Sequence, residues 1–140
     1  LVIQKLAELG VDQIRPLTAK RSVVRWDEAK ATVQMERFRR VARQAAMQSR
    51  RVWLPEIDEV SAAGDVAAAD TLAMAEPGGD PINGSVRVLL VGPEGGWTAD
   101  ELALHKTVSL GRTVLRAETA AIVAGTLLTA IRDGRVSPPT

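Results

Sequence analysis

The spacing of apolar residues predicts helices at the start, middle and end of the chain. Apolar residues recur at helical spacing over residues 2–9, and Gly10 follows as a C-terminal cap. A longer helical pattern covers residues 29–48, with arginines away from its apolar face. A third pattern opens at Glu118-Thr119 and is apolar nearly all round, so this helix requires burial in the core or in a subunit interface.

Short runs of β-branched and aliphatic residues predict strands between these helices. Residues 86–91 form a nearly continuous apolar run, typical of a strand buried on both faces of a parallel sheet. A short helix is expected at 57–63 and a turn at 76–81. Further strand segments are expected at 11–17, 53–55, 71–75, 108–110 and 113–115.

A capping-box sequence predicts one more helix. Thr98-Ala99-Asp100-Glu101 has the S/T-x-x-E form, so a helix is expected from there to about Lys106. Strands and helices therefore alternate along the chain.

Composition narrows the class of protein. The 140 residues are 46% hydrophobic and 25% charged, which is typical of one α/β or α+β domain and excludes disordered and collagen-like chains. The longest apolar stretch, 119–131, is too short to span a membrane. The chain has no cysteine and one histidine, His105, which excludes disulfides, thiolate metal sites and His-rich metal centres. A reducing cytoplasm fits this composition.

The N-terminus has no signal-peptide pattern and begins without Met, so sequence upstream of residue 1 is expected.

Charge is distributed unevenly although the net charge is only +1. Residues 1–55 carry 12 Lys and Arg against 5 Asp and Glu, whereas residues 56–101 carry 1 against 10. The basic first part suggests an anionic partner, and a solvated helix face is the alternative. Aromatic residues are too sparse for a sheet on which successive RNA bases stack, so phosphate contacts are expected to dominate RNA binding.

Two glycine-bearing junctions are candidate ligand sites. Residues 92–96 follow a predicted buried strand and precede a helix, a position where open α/β sheets bind ligands. Their spacing matches neither dinucleotide nor P-loop motifs, and leaves a plain tight turn equally open. Residues 110–120 place Gly111 before a helix N-terminus, where Arg116 and Glu118 form either a site or an ion pair that fixes the turn.

Other catalytic groups are poorly supported. The serines lack a nucleophile elbow, and His105 is expected to be an ordinary surface residue on an exposed helix. Carboxylates at metal-ligand spacing are missing as well. The reactive group is therefore expected to come from a cofactor, while the protein supplies position.

Several separated motifs resemble the RsmE family of ribosomal RNA uridine N3-methyltransferases, a member of the SPOUT class. They run in order over nearly the whole chain, which makes them more specific than one glycine loop. The motifs are Gln4-Lys5-x-x-Glu8-Leu9-Gly10-Val11-x-x-Ile14-x-Pro16, Arg21-Ser22, Gln48-Ser49-Arg50-Arg51, Pro55, Gly92-Pro93-Glu94-Gly95-Gly96-Trp97 and Leu110-Gly111-x-x-x-Leu115-Arg116-x-Glu118-Thr119-Ala120.

The resemblance implies an α/β fold with a mostly parallel sheet flanked by helices and a C-terminal trefoil knot that binds S-adenosylmethionine. Loops at 75–77, 92–96 and 110–119 would meet around this cofactor, with no metal. The cofactor-binding residues it implies are Ala75, Val91, Gly92, Pro93, Gly95, Gly96, Leu110, Gly111, Leu115, Arg116, Thr119 and Ala120. Family members act as homodimers whose active sites are completed by the partner.

The resemblance further implies N3 methylation of uridine in 16S ribosomal RNA of the small ribosomal subunit, in the cytoplasm. Glu94 or Glu118 would act as base or orient the ring, and Arg116 or Arg21 would stabilise negative charge. The residues expected to contact RNA are Lys5, Arg21, Arg39, Arg43 and Arg50.

Two departures and two alternatives accompany this interpretation. Residues 1–140 are expected to be the SPOUT-type methyltransferase domain alone, without the PUA-like RNA-binding domain that normally precedes it in the family, and Arg112-Thr113 stands where many relatives have a proline or lysine followed by a basic residue. One alternative keeps the fold and cofactor but methylates a ribose hydroxyl or a guanine. The other is a non-catalytic RNA-binding module that uses only the basic face.

Overall fold

The computed structural model of the protein describes residues 1–22 and 26–138. The helices are α1 (Val2–Leu9), α2 (Glu28–Gln48), α3 (Ala99–Leu102) and α4 (Ala117–Arg132), with a 3-10 turn at Ala63–Asp65. The strands are β1 (Gln13–Ile14), β2 (Leu17–Thr18), β3 (Glu56–Ile57), β4 (Ser61–Ala62), β5 (Leu72–Pro81), β6 (Val88–Leu90) and β7 (Lys106–Ser109).

Every strand pair in the described part of the chain is parallel. β1 pairs with β3 and β2 with β4, while β5 lies between β6 and β7 in a three-stranded sheet. The expected α/β architecture of parallel strands flanked by helices is therefore confirmed, although the strands form three small sheets within the described residues.

The helix ends follow the capping signals in the sequence. Gly10 ends α1 in the left-handed region, with φ 91°, a conformation that glycine adopts without steric cost. Asp27 begins α2, because its carboxylate accepts a 2.8 Å hydrogen bond from the Lys30 amide. The three longer predicted helices are thus confirmed to within about two residues.

Three buried clusters among the described residues hold the elements together, and one of them, Ala73, Val86 and Val108, joins β5 to β7. Met74 of β5, Leu90 of β6 and Trp97 belong to one cluster beneath the three-stranded sheet's carboxyl end. Ala7 of α1 and Met35 of α2 belong to another, which packs these helices together beside β3. Among the described residues, no helix combines the length and apolarity that crossing a membrane requires.

The helix predicted at 57–63 is wrong, and so is the strand at 53–55. This region instead forms β3 and β4, each two residues long, followed by the 3-10 turn. The Glu56 and Asp58 amides donate to the Asp12 and Ile14 carbonyls, each at 2.9 Å. Pairing with a distant segment therefore overrides the local pattern.

Other boundaries also differ. Only residues 88–90 of the 86–91 run form a strand, and Val88 is 47% exposed, because β6 pairs only with β5 among the described strands. The predicted strand at 113–115 is not formed, and α3 ends at Leu102 rather than near Lys106. The predicted strand at 11–17 is divided into β1 and β2, and the predicted turn at 76–81 lies within β5.

Candidate functional site

A cleft with a cavity volume of about 130 Å³ opens beyond the carboxyl ends of β5, β6 and β7. Three loops line it, at 75–77, 91–97 and 109–115, and the first turn of α4 closes one side through Ala117 and Ala120. This edge of a parallel sheet is where α/β proteins bind ligands.

The first loop leaves the sheet and returns to it within β5. Ala75 and Asp80 both pair with Val108 of β7, so residues 76–79 project out of the strand. Gly78 has a φ of 84°, and a Cβ on Gly79 would lie 2.8 Å from the Val108 backbone. Glycines at these two positions therefore let the projecting loop sit close against β7 and turn Glu76 into the cleft.

The second loop is the glycine turn after β6. The Gly96 amide donates to the Pro93 carbonyl at 2.9 Å, with Gly96 at a φ of 78°. A Cβ on Gly92 would lie 2.9 Å from the Trp97 ring, so the buried indole packs directly against the turn. Trp97 Nε1 also donates to the Ala75 carbonyl at 3.0 Å, which joins the first loop to the second.

A segment after β2 braces the glycine turn from outside. Arg21 Nη1 donates to the Gly95 carbonyl at 3.2 Å, and the Lys20 amide donates to Glu101 Oε2 at 3.1 Å. The Glu101 carboxylate, 3% exposed, also accepts from the amide and hydroxyl of Thr98 in a capping box. Burial raises the pKa of Glu101, but the hydrogen bonds from Thr98 and Lys20 outweigh it and hold this pKa below its ordinary value.

The third loop joins β7 to α4. Ser109 Oγ donates to the Gly111 carbonyl at 2.7 Å and accepts from the Gly111 amide at 3.2 Å, which closes a tight turn. Arg116 is the N-cap of α4 and makes no side-chain capping bond. The first turn of α4 therefore presents unsatisfied N–H groups and the positive end of the helix dipole beside the cleft.

Most of the residues predicted to bind the cofactor come together in this cleft. Gly95, Arg116 and Thr119 do not line it. The predicted residues that line it are Ala75, Val91, Gly92, Pro93, Gly96, Leu110, Gly111, Leu115 and Ala120.

The four candidate catalytic residues lie in different places. Glu94 lines the cleft. Arg21 contacts Gly95 behind the turn, and Arg116 stands between two lining residues at the start of α4. Glu118 is exposed in the first turn of α4, and within the described residues it forms no ion pair with Arg116.

Some of the candidate RNA-binding side chains form bonds within the protein, and others have no such partner among the described residues. Lys5 pairs with Glu8 at 3.5 Å on the surface of α1. Arg39 Nη2 donates to the Ile57 carbonyl at 3.2 Å and to Glu59 at 2.9 Å, so it fastens α2 to β3. Arg43 and Arg50 are exposed, and their side chains have no hydrogen-bond or ion-pair partner in the described ranges.

Sequence reasoning missed part of the lining and misplaced the histidine. His105 follows α3 in a bend, where both ring nitrogens are buried without a partner among the described residues, so it is not an ordinary residue on an exposed helix. An aromatic directly after a glycine turn was the signal for Trp97. Glu76, Pro77, Thr113, Val114 and Ala117 line the cleft within the loops predicted to meet there, whereas Trp97 and Ser109 lie one residue outside those loops. Over residues 1–22 and 26–138, no cluster of His, Cys, Asp or Glu could hold a metal ion.

Comparison with known proteins gives consistent matches. The family model of RNA methyltransferase domains matches residues 1–129. Ribosomal RNA small subunit methyltransferase E of Mycobacterium tuberculosis is 39% identical, covering 89% of this chain and 55% of that protein. The enzyme of the same name from Synechocystis is 34% identical, over 88% of this chain and 46% of the relative. The chain spans about half the length of these curated relatives.

Solved structures share the fold. Ribosomal RNA small subunit methyltransferase E of Neisseria gonorrhoeae, bound to S-adenosyl methionine, has a TM-score of 0.78 at 28% identity and covers 93% of this chain and 60% of that one. A Legionella pneumophila protein in complex with the bound cofactor SAM has a TM-score of 0.81 at 31% identity, over 92% of this chain and 59% of that one.

Proposed function

Because the chain belongs to the RNA methyltransferase family, we propose that it methylates N3 of uridine in 16S ribosomal RNA with S-adenosylmethionine as the methyl donor. The observation that carries this proposal is the cleft, in which three loops and a helix N-terminus converge at the carboxyl edge of a parallel sheet. Relatives named for this activity on small-subunit ribosomal RNA, and neighbours with the cofactor bound, support it.

The residues of the cleft fit this cofactor. Apolar side chains of Val91, Leu110 and Leu115 offer a wall for the adenine ring, and the glycine turn exposes main-chain N–H and C=O groups to its polar edge. The N-terminus of α4 suits the methionine carboxylate. Bound S-adenosylmethionine supplies a methyl group on a sulfonium centre.

The chain's own groups then assist at the uracil ring. The N3 proton is weakly acidic, so methylation needs a proton acceptor and stabilisation of the resulting anion. Glu94, the candidate carboxylate that lines the cleft, takes the N3 proton or orients the ring. Arg116 at the cleft margin stabilises the negative charge, while Glu118 is the second candidate base and Arg21 braces the turn.

The finer architectural expectations belong to this proposal too. We infer that the loops around β5, β6 and β7 form the trefoil knot of the SPOUT class. The family match and the convergence of the loops on one cleft support this inference.

We also infer a homodimer. Val114, which lines the cleft and is nevertheless exposed, supports completion of the site by a partner. A ribosomal substrate supports a cytoplasmic location.

Two measurements test the proposal. Calorimetric titration with S-adenosylmethionine, with and without chelator, should give the same binding heat, and undetectable binding at millimolar cofactor would refute it. Small ribosomal subunits incubated with the protein and cofactor should then yield N3-methyluridine by mass spectrometry. Ribose methylation or methylguanine would assign another target, and RNA binding without cofactor binding would leave an RNA-binding module.

A further inference from the structure

An exposed apolar cluster lies at the C-terminal end of α2, away from the cleft. Met47 is 72% exposed, and Val52, Trp53 and Leu54 are 90%, 59% and 54% exposed. These four residues are called the Trp53 patch. Large apolar side chains grouped on a surface in this way mark interaction sites more often than single exposed ones.

The indole of Trp53 is held in place although it is exposed. Its Nε1 donates to Asp12 Oδ1 at 3.3 Å, and Asp12 is itself paired with Arg132 at 2.8 Å. The preceding segment is fixed by Arg51, which donates to the carbonyls of Ala7 and Val11 at 3.1 and 3.0 Å. A ring that is already oriented loses little conformational freedom when a ligand stacks on it.

A row of arginines leads along α2 to this patch. Arg37, Arg40 and Arg43 lie on the exposed face of α2, Met47 is four residues after Arg43, and Arg50 follows the helix. None of these four arginine side chains has an ion-pair or hydrogen-bond partner in the part of the chain that the structure describes. Their charge favours a polyanionic ligand over an apolar protein surface.

We propose that the indole of Trp53 is a stacking site for an unpaired nucleotide of the RNA substrate, with Arg43 and Arg50 contacting the adjoining phosphates. This inference rests on the proposed function, since it assigns a second contact to the same substrate. Single-stranded RNA is the ligand that combines flat bases with regularly spaced negative charge, and proteins commonly bind its bases on aromatic rings and arginine planes.

The Trp53 patch is remote from the cleft, and the distance between them sets the minimum length of an RNA strand that contacts both. Ala120 lines the cleft, and Arg132, twelve residues later on α4, holds Asp12 beside Trp53. At a rise of about 1.5 Å per residue this separation is about 18 Å along the helix. Stacked nucleotides rise about 3.4 Å each, so a strand of about six or more is required.

The test compares Trp53→Ala, Trp53→Phe and the neighbouring control Val52→Ala. Affinity for a uridine-containing single strand of about 12 nucleotides should fall roughly 5-fold to 100-fold in Trp53→Ala, the range for loss of one stacked base. Trp53→Phe should recover most of it, and Val52→Ala should keep wild-type affinity because it removes apolar area without a ring. Cofactor affinity and binding of a uridine trinucleotide should be unchanged in all three.

Several outcomes would contradict the proposal of a stacking site at Trp53. One is unchanged affinity of Trp53→Ala for the long strand, which with intact methylation would leave the proposed function standing. Equal losses of RNA affinity in Trp53→Ala and Val52→Ala would show that the ring does not stack on a base, and an oligomer that Trp53→Ala dissociates would make the patch a protein interface. A wild-type protein that binds cofactor but no RNA would refute this inference and the RNA substrate together, whereas failure to bind cofactor would refute the proposed function alone.

Discussion

Single side chains decide how closely the cleft loops approach one another, and the contact between Gly92 and Trp97 is the sharpest case. A Cβ on Gly92 would lie 2.9 Å from the indole, closer than real Cβ contacts. We expect Gly92→Ala to displace the ring and lower cofactor affinity about 10-fold or more, since overpacking commonly costs about 1–3 kcal/mol. Calorimetry with S-adenosylmethionine measures this.

The control for Gly92→Ala is Gly64→Ala. A Cβ on Gly64 would meet nothing within 4 Å, and its φ is outside the left-handed region. This variant should bind cofactor as the wild type does. Equal affinity of both variants would show that the indole contact has no part in shaping the cleft.

Arg50 adopts a conformation that suits glycine. It is the only non-glycine residue with a positive φ, 58°, among the described residues. The left-handed region costs L-residues roughly 1–2 kcal/mol, and glycine avoids this cost. Glycine also increases the conformational entropy of the unfolded chain, which offsets part of the gain. Arg50→Gly should therefore raise the free energy of unfolding by up to about 1 kcal/mol. Urea denaturation checks this, and Arg43→Gly within α2 should instead destabilise by about 1 kcal/mol.

At the residue scale, local sequence located the glycine turn and the residues around Gly111 but not their partners. Glycines mark backbone that must bend or pack closely, so Gly92 and Gly96 could be predicted as site residues. That Arg21 would contact Gly95, and that Arg39 would be used to hold β3, depends on contacts between distant segments. No spacing along the chain reports such contacts.

At the element scale, the four-residue helix α3 depends on its capping box. Glu101 serves it twice, by closing the box with Thr98 and by accepting the Lys20 amide that ties the bracing segment to the helix. In Glu101→Gln, the side-chain NH₂ group would face the N–H and O–H groups of Thr98 and Lys20, which are themselves donors. We therefore expect this variant to lower the free energy of unfolding by about 1–3 kcal/mol at pH 7. Asp100→Asn, at a largely exposed ion pair with Lys20, should change it by less than about 1 kcal/mol.

The same carboxylate predicts a pH dependence with a definite sign. The pKa of Glu101 in the folded protein lies below its ordinary value of about 4.5. Its contribution is therefore complete above that value and is lost as the pH falls through the folded-state pKa. The stability difference between the wild type and Glu101→Gln, followed by urea unfolding from pH 7 to acid, should shrink only in that acid range. A constant difference would contradict this assignment.

The elements that sequence predicted well are those that carry their own signals. α2 and α4 are long and periodic, and the capping box specified the start of α3. β1 to β4 have two residues each and exist because a parallel partner from a distant segment supplies their hydrogen bonds. Residues 57–63 were therefore predicted as a helix on local pattern alone, and the pairing with residues 13–18 overrode it.

For the whole molecule, strand order decides which loops become a site. β5 lies between β6 and β7, so the loop within β5 and the loops that follow β6 and β7 meet although up to about forty residues separate them. Alternating strands and helices predict a parallel sheet but leave its order open. The family resemblance predicted that the loops meet without giving this order, and without it the glycine turn would have remained as compatible with a plain turn as with a ligand site.

The basic first part of the chain gives a prediction at the same scale. Reversal of Arg39 is a poor test of RNA binding, because this side chain fastens α2 to β3. Arg37 and Arg40 are exposed on α2, and their side chains have no hydrogen-bond or ion-pair partner in the described ranges. Arg37→Glu/Arg40→Glu should therefore weaken single-stranded RNA binding while leaving cofactor affinity unchanged.

Salt dependence shows whether those arginines contact phosphates. Each phosphate contact on a single strand contributes about 0.7 to the slope of log affinity against log salt concentration, so losing two should reduce that slope by about 1.4. Titrations of RNA and of cofactor at three salt concentrations measure it, with Lys30→Glu, a single charge reversal at the start of the same helix, as the control. Weaker RNA binding with an unchanged slope would assign the loss to damage of α2, and unchanged binding would assign the arginines to a solvated helix face.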